Sequence, residues 1–256
     1  MARSIVITSG KGGVGKSTIT AYLGRNLAKI GKKVVLIDAD LGLKNLDVIM
    51  HLENRVIYDI EDVIKGRTSL SKALIEDKEY PSLYLLPASL KTNILNFSFE
   101  HFQIILNELN KDFDYILIDS PAGIEKGFFN AIKGASEAIV ITTLDKSSIK
   151  DADKVIGILK SEHFINIKLI INKVSRKNLK NELDINIDDA LRVLGIPLLG
   201  ILYEEPNIRR SQNYTQKLRL INEDNFLSLA LKISGEKYEV SKSNFIQKIL
   251  KKVKIS

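Results

Sequence analysis

Residues Gly10-Lys11-Gly12-Gly13-Val14-Gly15-Lys16-Ser17-Thr18 contain the spacing G-x-x-x-x-G-K-[ST]. Those residue types in that order make a cradle for phosphate. Glycines let backbone N–H groups approach phosphate oxygens closely, and a helix that begins there adds a partial positive charge. Lys16 is placed to reach the β- and γ-phosphates of a nucleotide, and the Ser17 hydroxyl to bind Mg²⁺. Lys11 is an additional lysine inside the loop, which in an ordinary phosphate loop could simply be solvated. Two acidic sites accompany the loop. The run Val34-Val35-Leu36-Ile37 leads into Asp38-Ala39-Asp40, where a carboxylate could orient an attacking water beside Mg²⁺ or could merely cap a loop or helix. The low intrinsic pKa of Asp suits positioning better than full proton abstraction. The run Tyr115-Ile116-Leu117-Ile118 ends in Asp119, the pattern of a carboxylate that holds Mg²⁺ through water. The following Ser120-Pro121-Ala122-Gly123 turn could serve as a switch loop that senses the γ-phosphate.

Such groups must be held at the carboxyl ends of strands, where open α/β sheets bind ligands. Short Ile/Val/Leu-rich runs predict strands at 4–8, 33–38, 83–87, 114–119, 138–142, 168–172 and 197–203. If strand 33–38 ends as its pattern suggests, Asp38 and Asp40 do not share a face. Helical periodicity appears at 17–30, 99–109, 149–159 and 187–194, and Gly31 stops the first of these. Strand–helix alternation over most of the chain predicts an α/β fold, a doubly wound, mostly parallel sheet with helices on both faces. No internal repeat or interdomain linker interrupts it. The expected division is one domain over 1–233, a polar tether over 234–243, and a tail helix over 244–256.

Composition narrows the chemistry further. The 256 residues include no Cys, which excludes disulfides, thiol nucleophiles and Cys-ligated zinc or iron–sulfur centres. The three His are far apart in the sequence. No apolar run reaches the ~18 residues of a spanning helix, and the N-terminus reads as a strand rather than a signal peptide. A cytoplasmic location is therefore expected. The net charge is +7, but five Lys and no acid lie in residues 241–256, so the body carries only +2 (33 basic against 31 acidic).

The loop sequence KGGVGKS, with its extra lysine, resembles the deviant Walker A box of the ParA/MinD family. The runs DADLGLKNLD (38–47), RVIYD (55–59), LLPAS (85–89) and DSPAGIE (119–125) look like the MinD branch, the bacterial division-site-selection ATPases. The similarity extends over essentially the whole chain, with the motifs in family order. It implies a P-loop NTPase fold, ATP and Mg²⁺ as ligands, ATP hydrolysis, and an ATP-dependent homodimer that binds membrane reversibly. It implies as partners the division inhibitor MinC and, where the host has one, the activator MinE. By position, Lys11 matches the lysine that reaches the partner subunit's nucleotide. Lys16, Ser17, Asp40 and Asp119 match nucleotide and catalytic positions, and Asp38 and Asn45 match the first switch segment. Asn172, Glu205 and Pro206 fall at adenine-binding positions, and an Asn amide can pair with both N6 and N7 of adenine. Lys150, Asp151 and Asp153 match a helix used for partner contact, although a charged solvated face would look the same. His51 stands where the family often has Gly, and Tyr203 where it often has Pro.

The tail SNFIQKILKKVKIS has its own logic. Wound at about 100° per residue, Phe245, Ile246, Ile249, Leu250 and Val253 cover one arc of about 140°. Lys248, Lys251, Lys252 and Lys254 occupy the other arc, and only Ile255 breaks the pattern. That is the composition of an amphipathic helix lying on anionic lipid, the alternative being a terminal helix packed on the body, which would more usually show mixed charge on its outer face. A nucleoid-binding segregation ATPase of the ParA kind would need its basic residues on the body, so no sequence-specific nucleic acid is expected. A flagellar-number regulator of the same family is the other alternative.

Overall fold

The computed structural model describes residues 1–40, 45–89, 99–175, 185–204 and 222–235. Among these residues eight strands form one sheet: β1 (Arg3–Thr8), β2 (Val34–Asp38), β3 (Ile75–Glu76), β4 (Leu83–Leu86), β5 (Tyr115–Asp119), β6 (Glu137–Thr142), β7 (Asn166–Val174) and β8 (Leu198–Tyr203). Their order is β3-β4-β2-β5-β1-β6-β7-β8. Every pairing is parallel except that of β3 with β4. Strands β2 and β5 are buried at every position, which is why they read as unbroken apolar runs rather than as alternating ones.

Helices cover both faces. On one lie α1 (Lys16–Lys29) and α2 (Leu46–Met50), whose Leu23, Leu27 and Leu46 pack on Ile5, Ile7, Leu36 and Leu117. On the other lie α3 (Ile60–Ile64), α4 (Leu70–Ala73), α5 (Phe99–Asp112), α6 (Lys126–Lys133), α7 (Lys146–Ser161) and α8 (Ile187–Leu194), around Phe102, Phe128 and Val6. The last helix among the described residues, α9 (Glu223–Ser234), returns to the first face. There Phe226 stacks on Tyr22 of α1 with ring centroids 5.1 Å apart. Fully burying a side chain such as Phe226 stabilises by roughly 1.5–3 kcal/mol.

The strands and helices predicted within the described residues are all present, with ends moved by a few residues, and the tail helix expected over 244–256 lies outside them. Several short elements have no sequence counterpart above. Strand β3 has two residues, too few to show a period. Helix α6 follows the Pro and Gly of the switch turn, which mask its start. Helix α7 begins three residues earlier than its apolar period suggests, because Asp145 caps it by accepting from the Ser148 N–H at 3.0 Å.

Both departures from the family pattern have local explanations. His51 closes α2 in the left-handed conformation, φ 58°, where glycine is favoured. Tyr203 donates its N–H to Asn222 Oδ1, and Asn222 Nδ2 returns a bond to Tyr203 O, both at 2.8 Å. Proline could not make the first of these.

Candidate active site

Strand β1 lies mid-sheet, and the chain leaves it toward β2 on one side and arrives from β5 to β6 on the other, so the crevice opens above its carboxyl end. The phosphate loop fills that place. Gly15 precedes α1 with φ 100°, and no side chain caps the helix, so its first N–H groups remain for an anion. A Cβ on Gly15 would lie 2.5 Å from Asn172 Nδ2, and one on Gly10 would lie 2.3 Å from the Asp151 carbonyl oxygen. The loop is thus wedged between the end of β7 and helix α7, and neither contact leaves room for a side chain.

Lys16 is buried. One helical turn on, Thr20 Oγ1 lies 3.0 Å from the Lys16 carbonyl oxygen and 3.2 Å from Asp119 Oδ1. Asp119 also receives a hydrogen bond from Ser17. It sits beside Asp38 in register, so two buried carboxylates occupy neighbouring strand ends. Asp38 accepts the N–H groups of Asp40 at 3.1 Å on Oδ1, and of Asn45 and Leu46 at 3.1 and 3.3 Å on Oδ2. It thereby ties Asp40 and the start of α2 to the sheet. Burial raises the Asp38 pKa, and the adjacent Asp119 charge adds to it, against the pull of the three N–H groups. Burial likewise raises Asp119, opposed mainly by Lys16. Half-buried Asp40 is raised by desolvation and lowered by Lys16. Three carboxylates around one ammonium leave the crevice with a formal charge of −2. Asp119 Oδ2 is buried with no hydrogen-bond partner. An orphaned carboxylate oxygen beside a serine hydroxyl, in a pocket of that charge, fits Mg²⁺.

The Asp119 to Gly123 turn is stitched to the same loop. Ser120 donates its N–H to Ile7 O at 3.1 Å, and Gly123 to Ser9 O at 3.3 Å, while Ser9 Oγ donates to Lys11 O at 2.8 Å. Pro121 lies in this turn, half-buried. Lys11 Nζ lies 3.2 Å from Asp145 Oδ1, both side chains being nearly half-exposed. The bonds from Thr143, Ser148 and Lys11 hold Asp145 below the usual carboxylate range, against desolvation.

A profile of the CobQ/CobB/MinD/ParA nucleotide binding domain matches residues 5–218. The chain belongs to that family. Among the family's curated members, the septum site-determining protein MinD of Bacillus subtilis is 42% identical over 242 residues, covering 92% of this chain and 90% of that one. Two solved family structures superpose on the chain. The MinD of an Aquifex aeolicus MinC:MinD cell division complex does so with TM-score 0.83 and 42% identity, over 94% of this chain and 99% of that one. The Mg-ADP complex of Pyrococcus horikoshii MinD does so with TM-score 0.80 and 29% identity, over 94% and 100%. ATP and Mg²⁺ are accordingly the ligands of the crevice, as the loop and the orphaned carboxylate require.

The structure gathers Gly10 to Thr18, Asp38, Asp40, Asn45, Asp119 to Gly123 and Asn172 around one crevice. Asn172 donates one Nδ2 hydrogen to Val14 O at 2.7 Å, which leaves its second N–H and its Oδ1 for a base. On α7, Lys150 and Asp153 are exposed, whereas Asp151 is half-buried, packed on Gly10 and 3.6 Å from Lys154 Nζ. Glu205, Pro206 and the tail residues lie outside the described residues. Thr20, Asp145 and Lys173 join the site without having been singled out in the sequence. Thr20 was accessible in principle, one turn from Lys16; the other two depend on tertiary contacts.

Proposed function

We propose that the protein is an ATPase that dimerises with ATP bound, attaches to the inner face of the cell membrane in that state, and recruits a division inhibitor to fix the septum. The observation that carries this reading is Lys11. The chain's own cradle is built by Lys16 and backbone N–H groups, and Lys11 stands at the surface on Asp145. An exposed ion pair of that kind is worth about 0–1 kcal/mol, so Lys11 can leave it for phosphate on a second copy.

Within one site, the loop N–H groups and Lys16 bind the phosphates, and Ser17 and Asp119 would hold Mg²⁺, which neutralises phosphate charge. Asp38 fixes the backbone at Asp40, and Asp40 orients water for in-line attack on the γ-phosphorus. Loss of the γ-phosphate releases the Asp119 to Gly123 turn, which is already bonded to the loop through Ser9. The MinC:MinD neighbour supports a MinC-type partner, and α7, exposed at Lys150 and Asp153, is the candidate contact; an activator of the MinE type would act on the same dimer.

Membrane attachment rests on the tail. Five apolar side chains and four to five Lys at about 1 kcal/mol each on anionic lipid are offset by ordering a short helix at about 1–2 kcal/mol per residue. One copy is marginal, and two on one dimer gain a factor of ~10²–10⁴. Helix α9, which leads to the tail, is held at its C-terminal end by Arg3 on the Ile233 carbonyl, at the pole opposite the phosphate loop. Among the described residues no helix is long and apolar enough to cross a membrane. Co-sedimentation with anionic liposomes tests the reading: binding with Mg-ATP and loss with Mg-ADP is expected, and equal binding in both would refute it.

A further inference from the structure

The end of β7 carries an irregularity that the phosphate loop explains. Ile171 pairs with Ile201 and Val174 with Tyr203, so Asn172 and Lys173 together face the single residue Leu202. This is a β-bulge, and its second residue, Lys173, has φ 56°, an uncommon conformation for a side chain of this kind. In an unbroken strand the two side chains would point to opposite faces. Here both reach the loop. Asn172 Nδ2 donates to Val14 O and Lys173 Nζ to Gly13 O, each at 2.7 Å.

Across a trans peptide the carbonyl and the next N–H point in opposite directions. Holding the Gly13 and Val14 carbonyls toward β7 therefore turns the N–H groups of Val14 and Gly15 away from β7. Charge donated to the Gly13 carbonyl also polarises that peptide and strengthens the N–H on its far side. Strain of this kind persists where surrounding contacts hold it, commonly at functional sites. Lys173 is exposed, so it contributes little to the core.

We propose that Asn172 and Lys173 are positioning residues: the bulge is an anchor that presets the amides of the phosphate loop, and Lys173 thereby sets affinity for the nucleotide's phosphates. This rests on the nucleotide site described above. The test compares wild type with Lys173→Met, Lys173→Gly and Lys173→Arg, by calorimetric titration with Mg-ADP and with inorganic pyrophosphate, and by thermal unfolding without ligand. Lys173→Met should weaken both ligands about tenfold, equally for pyrophosphate because the base is not involved, with an unchanged melting temperature. Lys173→Gly should bind as weakly but melt no lower than wild type, since glycine accepts the positive φ. Lys173→Arg should restore binding. The inference is overturned if Lys173→Met binds as wild type does, if pyrophosphate affinity is unaffected, or if Arg fails to rescue. A wild-type protein that binds no Mg-ADP would instead remove the nucleotide site itself.

Discussion

Replacing Asp119 with Asn should make the ligand-free protein more stable, although it damages the site. Asp38 and Asp119 are in-register neighbours, both buried, on adjacent strands. At a strand spacing of about 4.8 Å and an effective dielectric constant of ~20, two ionised carboxylates repel by about 3 kcal/mol. Asn keeps an oxygen for Ser17 and Thr20 and puts a donor in place of the orphaned Oδ2. The bonds from Ser17 and Thr20 to a charged oxygen become bonds to a neutral one, at a cost of ~1 kcal/mol. The lost Lys16 attraction is smaller than the desolvation that Asn escapes, since folding raises the Asp119 pKa on balance, so the net gain stays at about 2 kcal/mol, or about 4–8 °C in melting temperature for a chain of this size. The pH dependence has a definite sign. Folding raises both carboxyl pKa values above 3.8. The folded chain therefore keeps protons that the unfolded chain has released, and wild-type stability is lost as pH rises from about 4 to neutrality. Thermal unfolding in EDTA should show the largest advantage of Asp119→Asn at pH 8, shrinking toward pH 5. Mg-ADP should reverse the order by binding the wild type better. A variant that melts at or below wild type at pH 8 without Mg²⁺ would refute the reasoning.

Asp40→Ala should lower single-turnover ATP hydrolysis by about 10²–10³ while phosphate contacts persist, leaving an ATP-bound dimer that sedimentation can detect. His51→Gly should stabilise the fold by about 0.5–1 kcal/mol by relieving the positive φ at the end of α2, read as a higher urea midpoint with unchanged slope. Ile249→Glu or Leu250→Glu should abolish liposome binding and spare Mg-ADP affinity. Lys251→Glu, on the basic arc, should weaken binding less and mainly at low salt, because it removes only screened attraction.

The central strands were legible because strands buried on both faces must be apolar throughout, as in Val34 to Ile37 and Tyr115 to Ile118. The phosphate loop was legible because its chemistry demands particular residues at fixed spacing. Less was visible in Asp38. Its position at a strand end was plain, but its three backbone N–H partners are Asp40, just past the strand, and Asn45 and Leu46 at the start of a five-residue helix too short to show a period. Lys173 was invisible for a related reason. A strand pattern predicts alternation, and the bulge that turns Lys173 onto Gly13 is a break in that pattern set by the neighbouring strand. In the sequence Asn172 offers an amide that could read a base, and in the structure its Nδ2 also holds the loop. The pairing of Lys11 with Asp145 joins positions 134 apart in sequence, and only the docking of α7 beside the loop creates it.

In the proposed mechanism one chain's site is completed by another chain's Lys11. Equilibrium sedimentation of wild type and Lys11→Ala, each with saturating Mg-ATP and Mg-ADP, tests it most directly. Wild type should sediment at twice the 28.7 kDa chain mass with Mg-ATP and as a monomer with Mg-ADP. Lys11→Ala should keep Mg-ADP affinity, because its own cradle is intact, and remain monomeric with either nucleotide. An ATP-dependent dimer that forms unchanged in Lys11→Ala would contradict the account.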